Sequence, residues 1–460
     1  MSAEREGSPH GDSPHLSRRL TTLDTALLTV GAIVGTGIFL TPGDVVGSLP
    51  HAGLVLLVWI AGGLLVLAGA LTLAEPAAAL PRAGGLYLVL REAFGPLPAF
   101  LYGWTCFLVI MSGGIAAIAM GFGQWLGVFV PAASADNVLL QAGRFALTGQ
   151  QVAASAAILL LTVVNHVGLG PGAGLQNLVT WLKVAGIAGF AAAGFLAPAR
   201  EALQPLAPVP DVPDGLLTAF GAAMIAVLWT WDGWYGALFE AGEMKDPARS
   251  LPRGLLGGVL AVMALYGVMN LFYLRALPVA DLAGNERAGQ AAAAALLGDG
   301  AGRLFGALVV VSSFGCLAAT ILYASRLYLP MAQDGVFFAA AGRVHPRHHT
   351  PSNALWMQGA WAVLLTLSGT YRALYNYVTF ASVLFLGACG AAALVLRRTR
   401  PELPRPYRTW GWPVVPLLFL AACVLLTWNT LLVSPTESLY GLGLVVLGLP
   451  AYAWWRRGAR

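Results

Sequence analysis

The sequence predicts an all-α polytopic membrane protein with about 12 transmembrane helices. Three observations lead there. Of its 460 residues, 58% are hydrophobic and only 10% charged, with mean hydropathy +0.73, whereas a soluble domain carries about 25% charged residues. Apolar stretches long enough to cross a bilayer as helices, roughly 20 residues each, recur along the whole chain. Two of these stretches, about 200 residues apart, are interrupted in the same way by glycine and polar residues.

In chain order, residues 1–20 form a polar tail without a signal-peptide pattern. Spans 1 to 12 are then expected at 24–47, 53–74, 87–127, 150–169, 175–197, 215–240, 253–276, 302–330, 353–370, 373–396, 412–433 and 439–455, the third long and broken near its end. An even number of spans puts both termini on one side. With the N-terminus inside, nineteen Lys and Arg residues fall in inner segments and six in outer ones, while Lys183 lies within span 5. This asymmetry predicts cytoplasmic termini. The net charge of +5 is then a topology signal and calls for no nucleic-acid partner. The outer loops, 131–149, 198–214 and 277–301, are short and rich in Ala, Gly and Pro. The basic, Pro-rich connector from Arg397 to Trp412 reads as a topology anchor, with anionic lipid as the sharper alternative. Membrane lipid is in any case a partner of such a chain.

The four cysteines, Cys106, Cys316, Cys389 and Cys423, all fall in spans, which predicts neither a disulfide nor zinc. The histidines His10, His15, His51, His166, His345, His348 and His349 lie on tails, loops or span ends and form no catalytic cluster. The triplet His345, His348 and His349 is a short inner-loop group, and no metal site is expected. An enzyme is excluded on this reading, and no cofactor is implied.

The interrupted stretches carry the functional signal. The first is Val30-Gly31-Ala32-Ile33-Val34-Gly35-Thr36-Gly37-Ile38-Phe39, and the second is Leu228-Trp229-Thr230-Trp231-Asp232-Gly233-Trp234-Tyr235-Gly236. Glycine destabilises a helix interior, and in lipid a freed backbone group is tolerated only where protein buries it or a wet cavity receives it. Two broken spans in corresponding positions of two halves point to a transporter site near the midplane. Close helix packing is the alternative for Gly35 and Gly37, but it leaves Thr36 unexplained.

Five motifs occur in order: Gly31 to Phe39; Pro81-Arg82-Ala83-Gly84-Gly85-Leu86-Tyr87 running into Arg91-Glu92-Ala93-Phe94-Gly95; Trp231-Asp232-Gly233-Trp234 followed by Gly242-Glu243-Met244-Lys245-Asp246-Pro247 and Leu251-Pro252-Arg253; Ser325-Arg326 with Gln333-Asp334-Gly335; and Leu403-Pro404-Arg405-Pro406-Tyr407. Together they resemble the amino acid–polyamine–organocation superfamily, and within it the bacterial relatives of the L-type amino-acid transporters, the serine/threonine exchangers among them. The resemblance implies a LeuT-like fold, in which a core at 21–398 holds two inverted five-helix repeats (24–197 and 215–396). Helices 1 and 6 are broken, and accessory helices 11 and 12 follow within 399–460.

By that resemblance, amides around Gly35, Thr36 and Gly37 take a substrate carboxylate, and carbonyls near Ile33, Trp229 and Trp231 take its ammonium. Trp229, Thr230 and Trp231 wall the side-chain pocket, with Trp229 the outer gate. Lys183 stands where sodium-coupled cousins hold a sodium ion between helices 1 and 8, faced by Cys316 or Thr320. It is either a fixed cation in a sodium-independent exchanger or the titrating group of a proton symporter. Asp232, grouped with the gate residues, is expected to cap the second half-helix, with a proton site or cation selector as the alternative. Glu75 is expected to pair with Arg82 or Arg91 at an inner gate, and Glu243, Lys245, Asp246, Arg249, Arg253 and Arg326 form either a gate network or a solvated rim. With no acid obviously facing the pocket, the expected substrates are neutral L-amino acids. The primary expectation is antiport; proton-coupled symport is the alternative, and an amine or polyamine transporter or a membrane sensor is remoter. The loop at 131–149 lacks the cysteine through which animal relatives bond a heavy subunit, so none is expected. The heavy use of Ala, Gly and Arg suits a bacterial inner membrane.

Overall fold

Span 1 starts where Thr21 and Asp24 cap one another. Asp24 N donates to Thr21 Oγ1 at 3.3 Å and Thr21 N to Asp24 Oδ2 at 2.9 Å, which satisfies two of the amides that a helix start leaves free. The helix runs Thr22–Ile33, opens at Val34-Gly35-Thr36 and resumes as Gly37–Leu40 and Pro42–Ser48. The computed structural model describes residues 18–143, 145–198, 215–368 and 371–458. Most of the N-terminal tail and of the outer loop 198–214 therefore lies outside the described residues.

Among the described residues, ten helices are long and apolar enough to cross a membrane. The remaining two expected spans are shorter. Span 6 is a helix at Leu216–Trp231 that breaks before a short turn at Gly236–Phe239. Span 9 is the 17-residue helix Ser352–Ser368. The protein is thus an all-α polytopic membrane protein.

Span 3 departs from expectation. Its break comes at the start, not the end: Leu86–Phe94 is a separate helix, Gly95 turns with φ 86°, and Pro96 opens the membrane helix. Only glycine takes that φ without strain, and proline suits the first helical position. The long helix then carries a π-helical segment at Cys106–Ile110 before continuing to Leu126. Two of the loops expected on the outer side also hold structure that their composition hides. Val138–Ala142 and Phe145–Thr148 pair as an antiparallel hairpin, and Ala288–Leu297 is a helix.

Packing places the broken spans at the centre. Span 1 lies against spans 5 (Leu169–Leu196), 7 (Pro247–Ala276) and 8 (Asp299–Gln333). The most apolar windows of spans 1 and 3 are 83% buried, against 22% for spans 11 and 12, so those last two helices stand at the periphery. The connector after span 10 is folded onto the C-terminal end of span 2. Glu75 accepts from Arg397 Nε (2.7 Å) and Nη2 (2.6 Å) and from Thr409 N (2.6 Å), with Arg405 Nε at 3.3 Å. Arg397 also lies 3.8 Å over the Trp412 ring. Glu75 therefore pairs with neither Arg82, which is exposed, nor Arg91. The bidentate fork of Arg397 and a backbone amide win that carboxylate.

Candidate functional site

The breaks in spans 1 and 6 sit side by side. A Cβ on Gly37 would come within 2.7 Å of Thr230 Cα, and one on Gly233 within 2.9 Å of the Ala32 carbonyl. A Cβ on Gly35 would meet Cys316 Sγ at 2.6 Å. These glycines therefore serve close approach as well as leaving backbone free. Around them is a central cavity of about 20 Å³, lined among others by Ile33, Gly35, Thr36, Gly37, Trp229 and Thr230. That is room for about one water molecule, so this conformation is closed on its centre.

The backbone at the breaks is partly committed. Ile33 O accepts from Gly35 N (2.9 Å), Trp229 O from Asp232 N (3.0 Å) and Ala32 O from Cys316 Sγ (3.0 Å). The Tyr266 hydroxyl of span 7 lies 3.0 Å from both Ile33 O and Thr230 O, bridging the ends of the two half-helices. Among the described residues, the amides of Thr36, Gly37 and Ile38 and the carbonyl of Trp231 find no protein partner. Amides at a helix start favour an anion, and a carbonyl at a helix end favours a cation.

Trp229 and Thr230 line the cavity as expected, and two side chains, Trp231 and Asp232, sort differently. Trp231 points away from the cavity, against Gly63 and edge-on to Tyr266 with centroids 5.0 Å apart. Thr230 Oγ1 donates to Ala226 O (2.9 Å) and meets Thr41 Oγ1 at 2.7 Å. Asp232 lines the cavity and accepts from the Tyr235 hydroxyl (2.9 Å), so an acid does face the site. Trp229 Nε1 donates to the Tyr371 hydroxyl (2.8 Å), which lies 3.3 Å from Thr36 Oγ1. This Trp229–Tyr371–Thr36 partition separates the centre from a vestibule of about 550 Å³ that Tyr371, Asp44 and Arg372 also line. There Arg372 pairs with Asp44, which also accepts from Tyr375 (2.9 Å).

Lys183 is fully buried. Its ammonium donates to Gly31 O (2.9 Å), Val34 O (2.8 Å) and Ser312 O (3.3 Å). Three donors meet three acceptors, and the charge joins span 5 to the broken end of span 1 and to span 8. Neither Cys316 nor Thr320 bonds it. Cys316 turns to Ala32, and Thr320 Oγ1 donates back to Cys316 O (2.9 Å). The backbone of Ser312 takes the place expected of them.

On the opposite side of the centre, Arg326 Nε donates to Glu243 Oε1 (2.8 Å) and Nη1 to Leu322 O (2.7 Å), all fully buried. Glu240, one turn before Glu243, is equally buried, with both carboxylate oxygens unpartnered. Lys245, Asp246, Arg249 and Arg253 are exposed and form the solvated rim. Arg91 and Tyr87 hold Asp334 nearby, at 2.7 and 2.6 Å. Tyr266, Tyr371, Ser312 and Glu240 escaped the sequence reading. A hydroxyl or a carboxyl inside an apolar span was the available signal for three of them.

The amino acid permease family pattern matches residues 20–445. The chain belongs to the amino acid permease family. It is similar to the serine/threonine exchanger SteT of Bacillus subtilis (strain 168), at 30% identity over 96% of this chain and 98% of that protein. It is also similar to the b(0,+)-type amino acid transporter 1 of Homo sapiens, at 29% over 95% and 88%. The cystine/glutamate transporter of Homo sapiens is 25% identical over 96% and 86%. This permease is therefore a multi-pass membrane transporter and not an enzyme.

Proposed function

We propose that the permease exchanges amino acids across a bacterial cytoplasmic membrane by alternating access, without sodium, and with both termini inside. Lys183 carries this reading. Only the ammonium form supplies donors to all three carbonyls of Gly31, Val34 and Ser312, so deprotonation would leave one buried acceptor without its partner. That favours a fixed cation in an antiporter over the titrating group of a proton symporter. The free amides of Thr36, Gly37 and Ile38 take the substrate carboxylate, and the Trp231 carbonyl takes its ammonium. The Ile33 and Trp229 carbonyls are already engaged. The five-plus-five division at 24–197 and 215–396 is supported by the paired breaks. The name of the serine/threonine exchanger makes exchange of neutral amino acids the first expectation.

A second reading, cationic amino acids, rests on Asp232 in the cavity wall. No disulfide-linked subunit is proposed, since all four cysteines are buried within the bundle. Competition against a transported radiolabelled amino acid tests the site. Neutral L-amino acids should compete, and the matching amines that lack a carboxylate should not. Competition by those amines would remove the role assigned to residues 36–38. Competition by arginine that Asp232→Asn abolishes would establish the second reading.

A further inference from the structure

Outside the transport path, three imidazoles from distant parts of the chain converge. His166 lies at the end of span 4 (Gly149–Val167), and His345 and His348 lie in the loop before span 9. Their ring centroids are 5.3 Å (His166–His345), 5.4 Å (His166–His348) and 4.6 Å (His345–His348) apart. One nitrogen from each lies within 4.8 Å of the other two, and all three rings are partly buried.

The backbone holds this arrangement. His345 N donates to Thr350 O (2.8 Å), His349 N to His345 O (2.9 Å), and Thr350 Oγ1 to the His166 carbonyl (3.0 Å), fastening the loop to the end of span 4. His349, at φ 53°, is turned out to solvent. It is thus His166, far away in the chain, that completes the group. His166 Nδ1 is buried and has no hydrogen-bond partner, so nothing competes for a lone pair there. His345 Nδ1 accepts from the amides of Arg347 and His348, both at 3.2 Å, the long end of the range. An ion bound at that nitrogen gives up only those two contacts.

From this convergence we infer a transition-metal site, with zinc as its ion, formed by His166, His345 and His348. Neutral imidazole suits zinc, and three histidines leave a fourth tetrahedral position for water. Zinc–nitrogen bonds of about 2.0–2.1 Å require the rings to draw together by on the order of 1 Å, which side-chain rotation supplies. Arg343 and Arg347 are exposed, where water screens their charge. The ion would clamp span 4 to the loop between spans 8 and 9.

The test uses the full chain without a polyhistidine tag, purified in detergent, stripped with chelator and titrated with Zn²⁺ against a chromogenic competitor. One zinc per chain is expected. Binding should weaken at least about tenfold in His166→Ala, His345→Ala and His348→Ala and stay unchanged in His349→Ala. No stoichiometric zinc, or equal binding by a variant lacking all three, overturns the site. Cobalt(II) loading of the unmutated chain serves where a variant fails to fold. An intense visible band of four-coordinate cobalt supports the site, and a weak six-coordinate spectrum overturns it.

Discussion

At the scale of single residues, charge neutralised by a matched partner organises this protein. Lys183 joins three elements through three carbonyls, and a hydrogen bond from a charged donor contributes about 1.5–3 kcal/mol. Lys183→Ala should therefore abolish exchange, and Lys183→Arg should not restore it, because a planar fork cannot reproduce three donors radiating from one nitrogen. Uptake by the two variants in vesicles checks this.

The pair Glu243–Arg326 and its neighbour Glu240 make a sharper contrast. Removing one partner of a buried pair costs about 3–5 kcal/mol, so Glu243→Gln should lower the melting temperature strongly. Glu240→Gln, which removes a carboxylate with no partner, should leave it nearly unchanged. A thermal melt of both variants decides this; equal losses would contradict the assignment. Lys183 was legible in the sequence because it is one of only two lysines and lies within a span. Ser312, Tyr266 and Tyr371 were not, because their roles come from what folding brings beside them. Trp231 was misread for the same reason: its neighbours in sequence do not say which way it turns.

At the scale of elements, the two breaks are held together by the absence of side chains. Gly37→Ala drives a methyl into the Thr230 backbone, which cannot move without parting spans 1 and 6, and uptake should be lost. Gly35→Ala meets the Cys316 side chain, its Sγ at 2.6 Å and its Cβ at 3.1 Å, so its defect should be milder and should be partly relieved by Cys316→Ala, which removes the closer atom. Equal, unrelieved defects in an uptake assay would contradict this. The breaks were legible because glycine and threonine stand out in an apolar helix. The corner at Gly95-Pro96 was legible too, since Arg91-Glu92 interrupts the apolar run and Gly-Pro marks a turn, but the span was read straight through it. The partner of Glu75 was missed because Arg397 lies more than 300 residues away in the chain. Glu75→Gln should free the connector, read as faster proteolysis after Arg400, whereas Arg82→Ala should not.

At the scale of the whole molecule, the centre is closed on both sides. The Trp229–Tyr371–Thr36 partition and the Asp44–Arg372 pair lie on one side, and Glu243–Arg326 on the other. A cavity for about one water must open to admit an amino acid, so spans 1 and 6 have to move against the spans that hold them. Trp229→Ala thins the Trp229–Tyr371–Thr36 partition and should raise KM more than it lowers the maximal rate. The most direct test is uptake of radiolabelled amino acid by proteoliposomes, preloaded or empty, with and without an inward proton gradient and in the absence of sodium. An exchanger with Lys183 as a fixed cation predicts uptake that requires internal amino acid and ignores the gradient. Uptake into empty vesicles driven by external acid, and lost with Lys183→Ala, would contradict it and make this permease a proton symporter.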